Sequence, residues 1–341
     1  TYYTLHPGKR EPFGGYSLVK EQELDREQAV EPSLYFTDEF EVTPLLSLSA
    51  GFRGTLYTSF GPGTEFRYSN SGELPAEHVT DTVSYRTGEV MSFYPRLEFR
   101  FSARFTFTPQ SSIKLNTQRA FQYIHMITNT TSISPTDIWK LSNRYIKPER
   151  SDQVSMGYYY NFRRKGIEAS VETYYKKLDN ILDYKGGAAL IMNQHLETDI
   201  INAEGKAYGV ELQVRKQAGS VTGWISYTWS RTLLRAQEEY VSMMTYGRSY
   251  YPADFDRPHD LSLVTNMKLS RRINFTANFN YSTGRPVTYP VAFFYFNNTN
   301  QLYYSLRNSY RMPDYIRLDM ALTVNGNLKL RKLNHSSLTF S

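Results

Sequence analysis

Strict alternation of apolar and polar residues, run after run, constrains this chain more than any other feature. In 273–282, Ile273, Phe275, Ala277, Phe279 and Tyr281 fall on one side, and Asn274, Thr276, Asn278, Asn280 and Ser282 on the other. Successive side chains of a strand point to opposite faces, so a period of two marks a strand with one apolar and one polar face. Phe93, Leu97, Phe99, Phe101, Ala103, Phe105 and Phe107 alternate in the same way with Arg96, Glu98, Arg100, Ser102, Arg104 and Thr106. Ile167, Ala169, Val171 and Thr173 alternate with Glu168, Ser170 and Glu172, and Tyr208, Val210, Leu212 and Val214 with Gly209, Glu211, Gln213 and Arg215. No stretch approaches the ~18–20 uninterrupted apolar residues that a spanning helix requires.

Taken in order, the alternation predicts about twelve strands, at 32–41, 45–58, 92–107, 112–124, 152–163, 166–181, 206–217, 220–232, 258–269, 272–284, 314–325 and 334–341. Many exceed the ~5–6 residues typical of soluble sheets. Tight turns follow strands one, three, five, seven and nine, as at Thr43-Pro44, Pro109-Gln110 and Gln217-Ala218-Gly219. Long segments follow the even ones, at 59–91, 125–151, 182–205, 233–257 and 285–313. Short turns at one end and long loops at the other is the plan of an outer-membrane barrel, with the short turns in the periplasm. A soluble sandwich has no reason to sort its loops by side. The expected fold is therefore all-β, an antiparallel transmembrane barrel. Its polar faces, carrying Arg96, Arg100, Arg104, Glu168, Glu172, Glu211 and Arg215, line a wet lumen. Tyr94, Tyr174, Tyr175, Trp224, Trp229 and Tyr281 are expected in aromatic girdles at the two interfaces.

The chain holds 29 Tyr and 20 Phe but no Cys, which removes disulfide frameworks, thiolate metal sites and cysteine nucleophiles. Its net charge of +6 is spread among acids rather than gathered into runs, so no nucleic-acid partner is expected. Thr1 opens within a charged stretch without a start methionine or signal peptide, which reads as a segment of a longer polypeptide.

Several segments resemble the C-terminal part of the β-barrel of TonB-dependent outer-membrane receptors, particularly the Bacteroidetes type. They are Lys147-Pro148-Glu149-Arg150-Ser151-Asp152, Asn202-Ala203-Glu204-Gly205 followed by Tyr208-Gly209-Val210-Glu211-Leu212, Asp256-Arg257-Pro258-His259-Asp260-Leu261, Gly284-Arg285-Pro286-Val287-Thr288, and Met312-Pro313-Asp314-Tyr315-Ile316-Arg317-Leu318-Asp319. The resemblance covers roughly 31–341, with 1–30 expected as an outer loop segment. It implies a barrel of about 22 strands around a folded plug, and uptake of a scarce ligand such as an iron chelate, cobalamin, an oligosaccharide or a peptide. The implied partners are outer-membrane lipid, the rest of the barrel and plug, the TonB–ExbB–ExbD complex acting through that plug, and a surface lipoprotein. The sequence departs from the pattern in holding no plug, no TonB box and about half the strands, and in stopping at Phe340-Ser341 inside an expected strand. A half-barrel would leave two bare edges in lipid, so the remaining wall is expected from elsewhere. The alternatives are a passive 12-stranded channel and, more remotely, an outer-membrane hydrolase.

No catalytic, metal or cofactor site is expected. His259 with Asp254, Asp256 and Asp260 comes nearest, but alternation sends His259 and Asp260 to opposite faces, and a metal needs converging ligands. No Gly-x-Ser-x-Gly elbow occurs. Arg96, Arg100 and Arg104 share one face, where they either steer anionic ligands and grip the plug or form a solvated wall paired with Glu98. In the aromatic outer loops, Tyr246, Tyr250, Tyr251, Phe294 and Tyr295 are candidate ligand contacts, with mutual packing as the plainer alternative.

Overall fold

The computed structural model describes residues 1–14, 20–68, 79–127, 138–185, 188, 190, 192–236, 250–296, 299–326 and 337–341. Twelve strands follow one another as an antiparallel meander: β1 (Ser33–Thr43), β2 (Leu46–Phe60), β3 (Val90–Thr108), β4 (Ser111–Gln122), β5 (Glu149–Phe162), β6 (Ile167–Tyr184), β7 (Ile200–Lys216), β8 (Val221–Ala236), β9 (His259–Lys268), β10 (Ile273–Ser282), β11 (Tyr315–Asn325) and β12 (Ser337–Phe340). Every expected strand is present, most with bounds within three residues of those predicted. β7 begins at Ile200 rather than 206.

The register explains why these residues form a wall. One ladder of directly opposed residues runs Leu46, Phe105, Ile113, Tyr158, Val171, Leu212, Tyr227, Leu261, Tyr281, Ile316. All ten are apolar or aromatic, so a single row of the apolar face crosses from β2 to β11. One residue over, the row on the opposite face reads Ser47, Arg104, Lys114, Gly157, Glu172, Glu211, Thr228, Asp260, Ser282, Tyr315. The apolar face has no protein core to cover it, and the membrane's hydrocarbon is its solvent. The apolar ladder starts beside the short turn before β2 and ends beside the long connection before β11. This steady stagger is the shear that tilted barrel strands require. Among the described residues β1 and β12 do not pair with each other, so the sheet is open.

The short turns are tight for local reasons. Between β5 and β6, a single 3-10 turn at Arg163–Lys165 closes on Gly166, whose left-handed φ of 59° suits glycine. At the other end the connections carry hairpins of their own. Gly63–Tyr68 pairs with Val79–Tyr85, Ile124–Ile127 with Ile138–Leu141, and Pro290–Phe296 with Thr299–Tyr304.

Two expectations need correction. Residues 1–30 are not simply loop: Tyr2–Leu5 pairs with Glu27–Val30, which in turn continues the edge of β2 at Thr58–Phe60. The aromatic girdle is also divided. Tyr175, Trp229 and Tyr281 sit in rows of the apolar face, whereas Tyr94, Tyr174 and Trp224 have the opposite parity and face the lumen. A position near a strand end does not determine a face; parity along the strand does.

Candidate functional site at the outer mouth

The end carrying the long connections is, by the barrel plan, the extracellular one. There the connection between β4 and β5 folds back against the lumen face. Tyr57 on β2 stacks on Tyr123 with ring centroids 4.7 Å apart, and its hydroxyl donates to the Ser142 carbonyl at 2.9 Å. Tyr94 on β3 donates to the Asn143 carbonyl at 2.8 Å. Ala29, Tyr57, Tyr123 and Leu141 form the resulting buried cluster. A second cluster of Ile127, Ile138, Ile146, Leu190, Leu196 and Ile200 joins that connection to the one between β6 and β7. Aromatic residues of the lumen face thus anchor two outer connections over the lumen.

A half-buried ammonium locks them further. Lys140 is paired with Glu27 and lies 4.0 Å from Glu197, while Glu27 also accepts the Leu141 N–H at 2.7 Å. Burial opposes the charge on Lys140, but Glu27 and Glu197 outweigh it and hold the ammonium above the ordinary lysine value. Beside this pair lies a cavity of about 190 Å³, lined among others by Asp25, Glu27, Glu65, Lys140, Asn143 and Glu197. Its walls come from five separate stretches of chain, so it exists only when the outer connections are docked.

Two carboxylates tie the remaining connections. Asp183, at the top of β6, is buried and accepts both the Tyr251 hydroxyl and the Arg307 guanidinium. Asp256 is fully buried, accepts the Thr232 N–H at 2.7 Å and pairs with Arg311. Asn308 donates to Pro252 and Asp254 at 2.8 and 2.6 Å.

The sequence-derived candidates are dispersed. Tyr246 lies outside the described residues. Tyr251 is buried by its bond to Asp183, so it holds loops together and does not present itself to a ligand. Its neighbour Tyr250 is exposed on the other side of the wall, under Lys206 at 4.1 Å. Phe294 and Tyr295 are exposed on the outer hairpin. Arg96 is wedged between the Tyr94 and Phe121 rings at 5.5 and 5.4 Å, whereas Arg100 and Arg104 are exposed along the lumen face. Glu98 lies 3.7 Å from Arg53 and accepts the Phe121 N–H, so among the described residues it pairs with Arg53 rather than with these arginines. The His259 ring bonds the Tyr227 hydroxyl at 2.8 Å on the apolar side, away from Asp260. Lys140, Glu27, Glu197, Asp183 and Arg307 carried no signal in the sequence, since all five lie outside the alternating runs. Asp256 stood out only as a neighbour of His259.

A twelve-stranded meander with an apolar outer face, a polar inner face and long connections folded over one end defines the wall of an outer-membrane transport barrel. The chain belongs to the TonB-dependent receptor-like β-barrel family, whose signature matches residues 2–340, and it is an outer-membrane protein. Its fold resembles the ferric-catecholate import receptor Fiu from E. coli K12 (TM-score 0.59, 12% identity, 96% of this chain and 44% of that one). It also resembles the ferric citrate transporter FecA (0.57, 13%, 92% and 40%). A third likeness is the ferripyoverdine receptor of the Pseudomonas aeruginosa outer membrane (0.53, 13%, 89% and 34%). The chain thus spans less than half the length of each. No curated protein matches it in sequence. The family and these neighbours are transporters and receptors rather than enzymes.

Proposed function

We propose that the chain forms barrel wall of an energised importer, in which a scarce ligand is captured at the outer mouth and passed along the polar lumen face. The observation that carries this reading is the docking of the outer connections over the lumen by Tyr57, Tyr94, Tyr123 and Lys140, which builds a walled cavity at the entrance. A passive pore would gain nothing from such closure. Arg100, Arg104 and Lys114 give the wall below it an electropositive strip suited to anionic cargo. Neighbours named for ferric catecholate, ferripyoverdine and ferric citrate make a ferric chelate the first cargo to try. In this reading a plug fills the lumen of a barrel of about 22 strands, and the TonB–ExbB–ExbD complex acts through it. A surface lipoprotein is a further partner.

The test is uptake of radiolabelled ferric chelates, cobalamin and labelled oligosaccharides or peptides by cells carrying the whole receptor, with and without the energy-coupling complex. Saturable accumulation that disappears without the complex is expected for one ligand class. Uptake that stays linear in concentration and indifferent to the complex would overturn the proposal in favour of the passive channel.

A further inference from the structure

One carboxylate stands on the wrong face of the wall. On β1 the acids Glu39 and Glu41 oppose Ser49 and Ser47 on the lumen side, where the alternation puts them. Asp38 opposes Ala50, between Phe36 opposite Phe52 and Phe40 opposite Leu48, and so belongs to the apolar face. From β1 to β7 its row reads Asp38, Ala50, Phe101, Thr117, Val154, Tyr175 and Tyr208, with no second charge. Thr43 adjoins the short turn. Five residues further along β1, at ~3.3 Å each and a tilt near 40°, Asp38 stands about 13 Å up, halfway through an apolar band about 25 Å tall.

Nothing on the β2 side can serve this charge. The side chain opposite is the methyl group of Ala50, and the diagonal neighbours Leu48 and Phe52 are apolar. Among the described residues the Asp38 carboxylate makes no hydrogen bond or ion pair. Ionisable side chains at membrane depth pair with one another or face water, and β1 has one more flank. At the outer end that flank is already occupied. Glu27–Val30 keeps the register of β1 against β2, from Val30 opposite Thr58 to Ser33 opposite Thr55, and pairs on its far side with Tyr2–Leu5. A strand continuing the line of Tyr2–Leu5 would lie antiparallel along β1. Its residue opposite Asp38 would stand on the same face, with the two Cβ atoms about 5 Å apart.

We propose that Asp38 is half of a lipid-facing ion pair, whose cation is a lysine or arginine directly opposite on the strand that closes the wall against β1. The pair fixes the register of that seam. Alternation forbids a slip by one residue, which would turn every apolar side chain into the lumen. A slip by two leaves every face unchanged and lets the backbone ladder reform. In hydrocarbon, however, a charge moved off its partner is left unpaired, so a single pair excludes the slip that the pattern allows. The inference rests on the barrel-wall reading above, in which further strands complete the sheet.

The test uses the whole receptor in outer-membrane vesicles, with a cysteine replacing Phe36 or Phe40 and single cysteines placed along the adjoining strand. The disulfide yield of each pair reads the register. Absence of any cross-link along β1 refutes the completed wall, and the ion pair with it; cross-links in one register locate the residue opposite Asp38. That residue is expected to be Lys or Arg, and any other residue there overturns the ion pair while leaving the wall intact. Asp38→Leu is expected to lower the ratio of in-register to two-residue-slipped cross-links about tenfold, and to lower the temperature at which the barrel unfolds in detergent gels. Exchanging the charges, by Asp38→Lys with the opposite cation replaced by Asp, restores both readouts, and Glu39→Gln on the lumen face changes neither. An unchanged register in Asp38→Leu, a raised unfolding temperature, or no rescue by the exchange overturns the proposal.

Discussion

In the wall, ten strands share one register, and the rows that cross it are held by backbone ladders and a lipid-facing surface. At the mouth, the connections meet around a few charges that are partly or fully buried: Lys140 with Glu27 and Glu197, Asp183 with Arg307, and Asp256 with Arg311. The difference follows from what surrounds each region. Hydrocarbon offers no partner for a backbone N–H or a charge, so the wall satisfies its polar groups within the sheet and presents apolar side chains outward. The mouth stands in water, where irregular backbone is tolerated, and long segments can be fixed by side chains that converge from distant parts of the sequence.

Three changes sharpen that contrast. The largest effect is expected from Lys140→Met, which leaves the half-buried Glu27 and Glu197 without their cation. Removing one partner of a fully buried pair costs about 3–5 kcal/mol, and this half-buried one should cost somewhat less. Hydrogen exchange should quicken at 27–30 and 138–146 while 205–235 keep their protection; equal loosening of the wall would refute the separation. Next, Leu212→Arg in the middle of the apolar ladder should destabilise folding into lipid vesicles by about 2–4 kcal/mol, as cations on the lipid face do. Gln213→Arg, one residue along on the lumen face, should stay within about 0.5 kcal/mol. Similar losses for both would mean that the faces are assigned wrongly.

The smallest effect is a pH response at the mouth. The Gly284 N–H and the Tyr281 hydroxyl, donating to Asp314 at 2.9 and 2.8 Å, hold its carboxyl below the usual carboxylate range. A depressed folded value stabilises the connection above the ordinary aspartate pKa, and the contribution is lost as pH falls through the folded value. Asp314→Asn should remove that acid response. A titration of exchange at Gly284 that is the same in both proteins would show that Asp314 does not tether the connection.

The same contrast explains what could be read from the residues alone. Within the membrane the two faces meet different solvents, so Val210, Leu212 and Val214 alternate with Glu211 and Gln213, and the strands are legible. Above it the rule lapses. Ile200 and Ile201 are adjacent and apolar, both buried under outer connections, and the true start of β7 is hidden. Tyr250 and Tyr251 are indistinguishable as sequence, yet one faces a lysine outside the wall and the other a buried carboxylate within the mouth. Lys140 is a lysine in an aperiodic loop, and only the arrival of Glu27, 113 positions earlier in the chain, gives it a role. Lumen and lipid faces follow from local pattern, whereas the mouth depends on contacts between residues far apart.

The oblique path of the ladders has a mechanical consequence. A row that begins beside the first short turn at Leu46 and arrives at Ile316 under the last long connection winds round the wall as fibre winds round a pressure hose. In such a winding, a pull along the axis and a push across the sheet load the same bonds, so neither can stretch the wall without shearing many hydrogen bonds at once. A force directed down the lumen would therefore be borne by the whole wall.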